Sequence, residues 1–470
     1  MKGLKTGLRV AALALATGLA TLPARAETLA DALVSAYNQS GLLQQNRALL
    51  RAADENVAQA VSALRPIISW SAGIDQSLTR TSSAANGFTA TNSDSASATL
   101  GITLQLLVYD FGASKVDIEI AKESVLSARY TLLQVEQSVL LRAATAFFEV
   151  RRATDTLALR QNNMRLITQE LRAARDRFDV GEVTRTDVSL AEARLAAARS
   201  GLAAAEGALN AARLEYLAAT GREPGNLVPP RSLPRLPASV QDAMAVAVRQ
   251  HPNMLAAQKD VTVAELNVTA ADLALKPTIS ASARYGVTRN LNNDGYSNGV
   301  TLGLQATGPI YSGGRLSSLQ RQAMARRDAS RANLHTVAQG LRQQAGTAYS
   351  NVLVARASRL AGEEQVRAAD VAFRGVREET TLGARTTLDV LNYEQELLSA
   401  RTTFISAQID EYVNAYNLLA ATGRMTARDL GLGVQLFDPA GYYNMVKDAP
   451  AGLSERGQKL DRVLRKLGKD

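Results

Sequence analysis

The sequence contains itself twice, and any fold for it must be built on one plan used two times. Leu64-Arg65-Pro66-Ile67-Ile68-Ser69 returns as Leu275-Lys276-Pro277-Thr278-Ile279-Ser280, an offset of 211. Further along the offset is 202: Tyr109 returns as Tyr311, Gly112 as Gly314, Gly181 as Gly383, Asp187-Val188 as Asp389-Val390, and Ala218 to Arg222 as Ala420 to Arg424. Repetition on this scale marks two copies of one structural unit. The offset falls by nine (211 − 202) between the prolines and the tyrosines, so that segment tolerates a change of length. The stretch from Tyr109 to Arg222 keeps its length in both copies, so something holds it fixed.

The variable segment predicts a β-hairpin in each half, because strict alternation gives a strand one apolar face. Ile68, Trp70, Ala72, Ile74 and Leu78 alternate with small polar residues, and Ala96, Ala98, Leu100, Ile102, Leu104 and Leu106 do the same on the way back. In the second half Ile279, Ala281, Ala283, Tyr285 and Val287 answer Val300, Leu302, Leu304 and Ala306. Strands of about ten residues cross a bilayer when tilted. Trp70, Tyr109, Tyr285 and Tyr311 are expected near strand ends as membrane-interface aromatics. A soluble sandwich with one wet face is the competing arrangement, but two hairpins bury little core. Four strands cannot close a barrel in lipid either, so the barrel must be shared between copies of the chain.

The fixed segment predicts helical hairpins, from about Gly112 to Phe178 and Thr184 to Thr220, and again from Gly314 to Glu379 and Thr386 to Thr422. Leu126, Leu133, Leu140 and Phe147 form one sevenfold series, and Val125, Leu132, Val139 and Ala146 an adjacent one. Two adjacent stripes imply packing on two neighbours. Single helices over 28–64 and 239–275 are expected to stack end to end with the shorter return helices. Gly181 and Gly383 fit the hairpin turns, where a positive φ is cheap only for glycine.

Charge and composition exclude several classes. Residues 1–26 read as an export signal: Lys2, Lys5 and Arg9 precede the apolar run Val10 to Ala20, and Ala24-Arg25-Ala26 fits a cleavage site. The formal charge is +9, but four cations leave with the signal and six (Arg456, Lys459, Arg462, Arg465, Lys466, Lys469) sit in the last twenty residues. The body lacks a basic stripe, which argues against nucleic acid. No cysteine exists to carry a lipid anchor or a disulfide. His251 and His335 are the only histidines, expected as capping or surface residues, so no His/Cys metal cluster is possible. No phosphate loop, nucleophile elbow or triad occurs; neither an enzyme nor a cofactor is expected.

The duplication, the strand-end sequences Tyr109-Asp110-Phe111-Gly112 and Tyr311-Ser312-Gly313-Gly314, and the tip sequences Arg177 to Asp187-Val188 and Leu382-Gly383 to Asp389-Val390-Leu391 together resemble the TolC family of outer-membrane efflux and secretion proteins. The resemblance covers essentially the whole mature chain. It implies an α+β membrane protein: a homotrimer whose twelve shared strands form a transmembrane β-barrel and whose long helices continue it as a periplasmic α-barrel. It implies a Gram-negative outer membrane with its lipid, a periplasmic adaptor (membrane fusion) protein, and an inner-membrane ABC or proton-driven transporter. The domains expected are a periplasmic helix (27–66), a transmembrane hairpin (67–108), a helical hairpin (109–222), a Pro-rich linker (223–238), their repeats (239–277, 278–310, 311–424), and an equatorial segment with a polar tail (425–470).

The same resemblance implies a periplasmic gate at the tips. Arg385 would bond toward Thr186 and Asp187, and Asp389 would contribute to an acidic ring. The family's gate tyrosine is replaced by Thr380 and a second ring carboxylate by Asn392, which implies a differently wired gate. Capping of the return helices is the alternative role for Asp187 and Asp389. Val180, Gly181, Glu182, Val183, Leu382, Gly383 and Ala384 would form the adaptor-docking surface. The function expected is a passive exit duct for type I protein secretion, multidrug efflux or both. The alternative is a periplasmic coiled-coil adaptor or structural protein that stays out of the outer membrane.

Overall fold

The computed structural model describes residues 27–467; the export signal and Lys469 lie outside the described residues. The first copy of the plan runs β1 (Glu27–Thr28), α1 (Leu29–Gln39), α2 (Gly41–Ser62), β2 (Ile67–Thr81), β3 (Thr91–Tyr109), α3 (Ala113–Asp179) and α4 (Arg185–Thr220). The second runs β4 (Leu227–Val228), α5 (Val240–Gln250), α6 (Pro252–Leu273), β5 (Thr278–Asn290), β6 (Tyr296–Thr307), α7 (Arg315–Thr381) and α8 (Thr387–Ala421). Two short helices follow, α9 (Pro439–Val446) and α10 (Glu455–Leu467). Helices α3 and α7 have 67 residues each, about 100 Å at the α-helical rise.

Two expectations need correction. The single helices over 28–64 and 239–275 are each broken in two. At Ser40 and His251 the backbone turns extended while the N–H still bonds back into the preceding helix. Pro252 explains the second break, since it has no N–H and pushes the residue before it out of the helical region. The nine extra residues of the first half are not only in the loop. Its strands have 15 and 19 residues against 13 and 12 in the second half, so the first hairpin extends its ladder as well as its connection. The polar tail forms two helices, and α9 and α10 pack Tyr442, Val446 and Leu460 on Ala58 of α2.

The chain divides into two compact units. One takes in the described residues up to Gln44 with Gln134–His251 and Gly340–Leu436; the other takes in Gln45–Leu133, Pro252–Gln339 and the described residues from Phe437 on. The first unit is helical apart from the short parallel pair of β1 and β4. Its core holds Phe147 and Phe148 of α3, edge to face at 5.4 Å, with Phe148 stacked on Tyr412 of α8 at 5.2 Å. Each such fully buried aromatic contributes on the order of 2 kcal/mol. The repeated Ala-Ala-Thr-Gly-Arg sequence ends the return helices here. A Cβ on Gly423 would lie 2.7 Å from the His251 Cα, and one on Gly221 would collide with the Gln39 side chain. Both glycines have positive φ, so each copy needs glycine for conformation and for close passage against its short helix.

The second unit carries the sheet, in the order β2-β3-β5-β6, antiparallel throughout. Tight left-handed turns lead from strand to long helix: Phe111-Gly112 in one copy, Gly313-Gly314 in the other. Asp110 then accepts the N–H groups of Gly112 and Ser114, at 3.0 and 2.7 Å, and so caps α3.

Along α3 the series Val125, Leu132, Val139 and Ala146 is buried throughout. The adjacent series is buried at Leu140 and Phe147, but Leu126 is only half-buried and Leu133 exposed within one protomer.

Candidate functional site

The register aligns one apolar face across all four strands. Trp70 lies opposite Ile102, Ile102 opposite Tyr285, and Tyr285 opposite Val300; the next row joins Ile68, Leu104, Ala283 and Leu302. Among the described residues nothing covers this face: Trp70 is 75 % and Leu302 77 % exposed. The opposite face is hydroxyl and glycine, with rows Ser69, Thr103, Arg284, Thr301 and Ser71, Gly101, Gly286, Gly299. Strands β2 and β6 are edges, each with one row of backbone groups unpaired within the protomer. A sheet with two open edges and an uncovered apolar face is a partial structure, since lipid tolerates strands only in a closed barrel.

The expected aromatics take different places on it. Tyr109 ends β3 and meets Phe111 edge to face at 4.8 Å, while Tyr311 stands beyond β6, exposed. Trp70 is the fourth residue of β2, but Tyr285 shares its row in mid-strand, away from either strand end. Tyr296, which the sequence analysis did not single out, opens β6 opposite Arg289 at the loop end of the apolar face. Its even spacing from Val300 and Leu302 was the available signal.

The two helix tips are matched atom for atom. In the first, the Gly181 N–H bonds the Phe178 carbonyl and the Glu182 N–H the Arg177 carbonyl, both at 2.9 Å. In the second, the Gly383 N–H bonds the Thr380 carbonyl at 3.2 Å and the Ala384 N–H the Glu379 carbonyl at 2.9 Å. Gly181 and Gly383 have φ of +81° and +79°, the left-handed closure of a helix C-terminus. Each return helix then opens with a reciprocal capping box, Thr184 with Asp187 and Thr386 with Asp389. The Thr386 backbone N–H and hydroxyl hold the Asp389 carboxylate below its ordinary range. Capping is therefore a role both aspartates fill in the protomer. Val180 and Leu382 project from the turns, strongly exposed, with Glu182, Ala384 and half-buried Val183 beside them.

Arg385 is not brought to Thr186 or Asp187 among the described residues; its guanidinium pairs with Glu379 of the same tip at 2.9 Å. Thr380 is buried and donates to the Val376 carbonyl at 2.7 Å. Asn392 accepts from Arg194 at 3.1 Å, a link from α8 to α4. One turn below, Asn163 of α3 donates to the buried Glu394 of α8, whose carboxyl burial pushes above its ordinary range. Arg377 of α7 lies 3.8 Å from Glu170 of α3. These polar crosslinks were missed because their partners are 198 to 231 residues apart or sit on different helices of the repeat. Apolar contacts flank them. Leu391 packs with Ile167, Leu171 and Leu195 of the first hairpin, and Phe373 and Val376 of the second with Val390 and Leu397.

Long helical hairpins with linked tips, joined in one chain to a four-stranded sheet with open edges, define a protomer of an oligomeric outer-membrane export channel. The family model for outer membrane efflux proteins matches residues 32–222 and 244–424, and the chain belongs to that family. It is 37 % identical over 96 % of its length, and 97 % of the relative's, to the outer membrane efflux protein BepC of Brucella suis. It is 25 % identical to the outer membrane protein TolC of Escherichia coli, covering 85 % of this chain and 84 % of that one. The crystal structure of the Campylobacter jejuni CmeC outer membrane channel shares the fold, with a TM-score of 0.76 at 15 % identity over 90 % of both chains. None of the described helices is long and apolar enough to cross a membrane.

Proposed function

We propose that three copies of this chain close one twelve-stranded barrel in the outer membrane and that the helices continue it into the periplasm as a passive exit duct. The observation that carries this is the four-stranded sheet, with both edges open and one face apolar and uncovered. Three copies join six edges into three seams, and Leu126 and Leu133 find their cover on a neighbouring helix. The hydroxyl and glycine face becomes a wet lumen. The strand ends next to the helices then face the periplasm, and the loops 82–90 and 291–295 face outward. An inner-membrane ABC or proton-driven transporter supplies energy, and a periplasmic adaptor docks on the exposed tip residues around Val180 and Leu382. The relatives named for alkaline protease secretion in Pseudomonas aeruginosa and for efflux in Brucella suis support export of proteins and of small molecules as the two cargo classes.

We place the gate at the tips, where Arg385, Thr186, Asp187, Asp389, Asn392 and Thr380 of neighbouring copies converge. The Arg194–Asn392 and Asn163–Glu394 bonds show that polar links between hairpins already operate at this level within a protomer. Membrane fractionation with single-channel recording tests the duct: a water-soluble or non-conducting trimer ends it. Arg385→Ser combined with Asp187→Ala tests the gate, with raised conductance and antibiotic leakage expected. Unchanged conductance in a correctly assembled trimer returns these residues to capping alone.

A further inference from the structure

The C-terminal segment packs along α2 from Arg47, which lies over the Phe437 ring at 5.1 Å, to a level just short of the strands. Arg65 stands two residues before β2, and its guanidinium donates to the backbone carbonyls of Asp448 and Ala449. Leu460 and Tyr442 pack on Ala58, four residues before the end of α2, about 6 Å along its axis. Tyr442 donates to Glu55, and Arg129 of α3 stacks over the Tyr443 ring at 5.3 Å. These contacts fix α10 beneath the helix-side ends of β2 and β3. Immediately beyond, Ile68 begins the exposed apolar face.

Helix α10 is divided sharply. Gly457 and Leu460 are buried and Val463 and Leu464 half-buried, whereas Arg456, Lys459, Arg462, Arg465 and Lys466 are all exposed. Against these five cations the helix carries two acids, Glu455 and Asp461. Among the described residues only Arg456 of the five has an ion-pair partner, Asp448 at 2.9 Å. Leu453, in the turn that leads into α10, is 96 % exposed. A short helix with an inward apolar seam, an outward basic face and an apolar residue left in solvent has the composition of an interfacial helix. The headgroup layer extends several Å beyond the hydrocarbon core, within reach of lysine and arginine side chains anchored one helical turn below it.

We infer that α10 is a membrane-surface helix that binds the anionic phospholipid headgroups of the periplasmic leaflet of the outer membrane through Lys459, Arg462, Arg465 and Lys466. This rests on the duct reading, which places the helix-side strand ends at that leaflet. Three such helices, one per protomer, form a basic collar that fixes the height and tilt of the barrel in the bilayer. Charge complementarity selects lipid of net negative charge over zwitterionic lipid, and Leu453 supplies a shallow apolar contact.

The absence of cysteine makes the test direct, because one introduced thiol is unique in the chain. Gln458→Cys, on the exposed side of α10, carries a spin label in full-length trimers placed in nanodiscs of phosphatidylcholine alone or with phosphatidylglycerol. Collision with an aqueous paramagnetic reagent is expected to fall severalfold when phosphatidylglycerol is present, and to recover at high salt without any mutation. Lys459→Gln, Arg462→Gln, Arg465→Gln and Lys466→Gln together should abolish the difference, each removed charge weakening association by roughly fivefold. Equal accessibility in both lipids overturns the inference, as does equal protection in both, which would mean a neighbouring protomer covers the helix. Lipid-independent accessibility with retention on purified peptidoglycan, lost in the fourfold variant, reassigns the face to the cell wall. Conductance of the same preparations reports separately on the duct: a conducting trimer with an indifferent label sinks this inference alone.

Discussion

The two halves place the same two opposite charges in two different environments. Asp54 and Arg129 in the first copy correspond to Glu265 and Arg331 in the second, by the offsets 211 and 202 of the repeat. In the second copy the pair stands open to water, Arg331 to Glu265 at 2.6 Å with both side chains about half exposed. In the first, the C-terminal segment has closed over the site. Tyr443 takes the face of Arg129, Asp54 is 1 % exposed, and its Oδ1 has no hydrogen-bond partner among the described residues. Burial pushes the Asp54 carboxyl up to about 6, against the pull of Arg129. A repeat therefore hands down positions, and later packing decides whether a charge there helps or costs.

The largest expected effect sharpens this contrast. With its folded pKa raised from 3.8 to about 6, Asp54 gives full stability below about pH 4 and loses it as pH rises through 6. Asp54→Asn, which mimics the protonated carboxyl, should raise stability at pH 7 to 8 by on the order of 1–3 kcal/mol and by nothing near pH 4. Glu265→Gln should move it by under about 1 kcal/mol across the range, as solvent-exposed pairs do. Thermal melts of both variants from pH 4 to 8 check the pair. Equal, pH-independent shifts would remove the distinction between the halves.

The tips provide the opposite case, where two copies remain alike. Gly181→Val and Gly383→Val each force a β-branched residue to a φ near +80° and should cost about 1–2 kcal/mol apiece. Thr184→Ala and Thr386→Ala should each cost about 1 kcal/mol by removing a cap. Thermal melts of the trimer check all four, with near-equal losses expected within each pair. A twofold inequality within a pair would show that one tip is braced by contacts the other lacks.

Much of this was legible because the repeat printed it twice. Alternation from Ile68 to Leu78 and from Ile279 to Val287 gave the strands, and Gly181 and Gly383 the turns, since these signals are local. Pro252 announced a helix break that the apolar periodicity over 239–275 concealed, and Ser40 broke the matching helix with no proline to mark it. The docking of Tyr442 and Leu460 on Ala58 was invisible, because it joins residues almost 400 positions apart and has no counterpart in the other half. The crosslinks of Asn163 with Glu394 and Arg194 with Asn392 were hidden for the same reason. Each is an ordinary polar residue until the two hairpins are packed together.

The smallest expected effect concerns an ion pair that only the second tip forms. Arg385 pairs with Glu379, whereas the corresponding positions of the first tip are Val183 and Arg177, which cannot form that pair. The Glu379 carboxylate competes for the same guanidinium that the gate proposal directs to Thr186 and Asp187. Glu379→Gln weakens that competition, so Arg385 should spend more time across the tips, and resting conductance should fall slightly below wild type. Arg385→Ser should move it the other way. If Glu379→Gln raises conductance instead, the latch is the pair within the second tip, and the difference between the two tips is itself the gate. Single-channel recordings of the two variants on the same bilayers separate the outcomes, because the two hypotheses give the Glu379 change opposite signs while agreeing on Arg385.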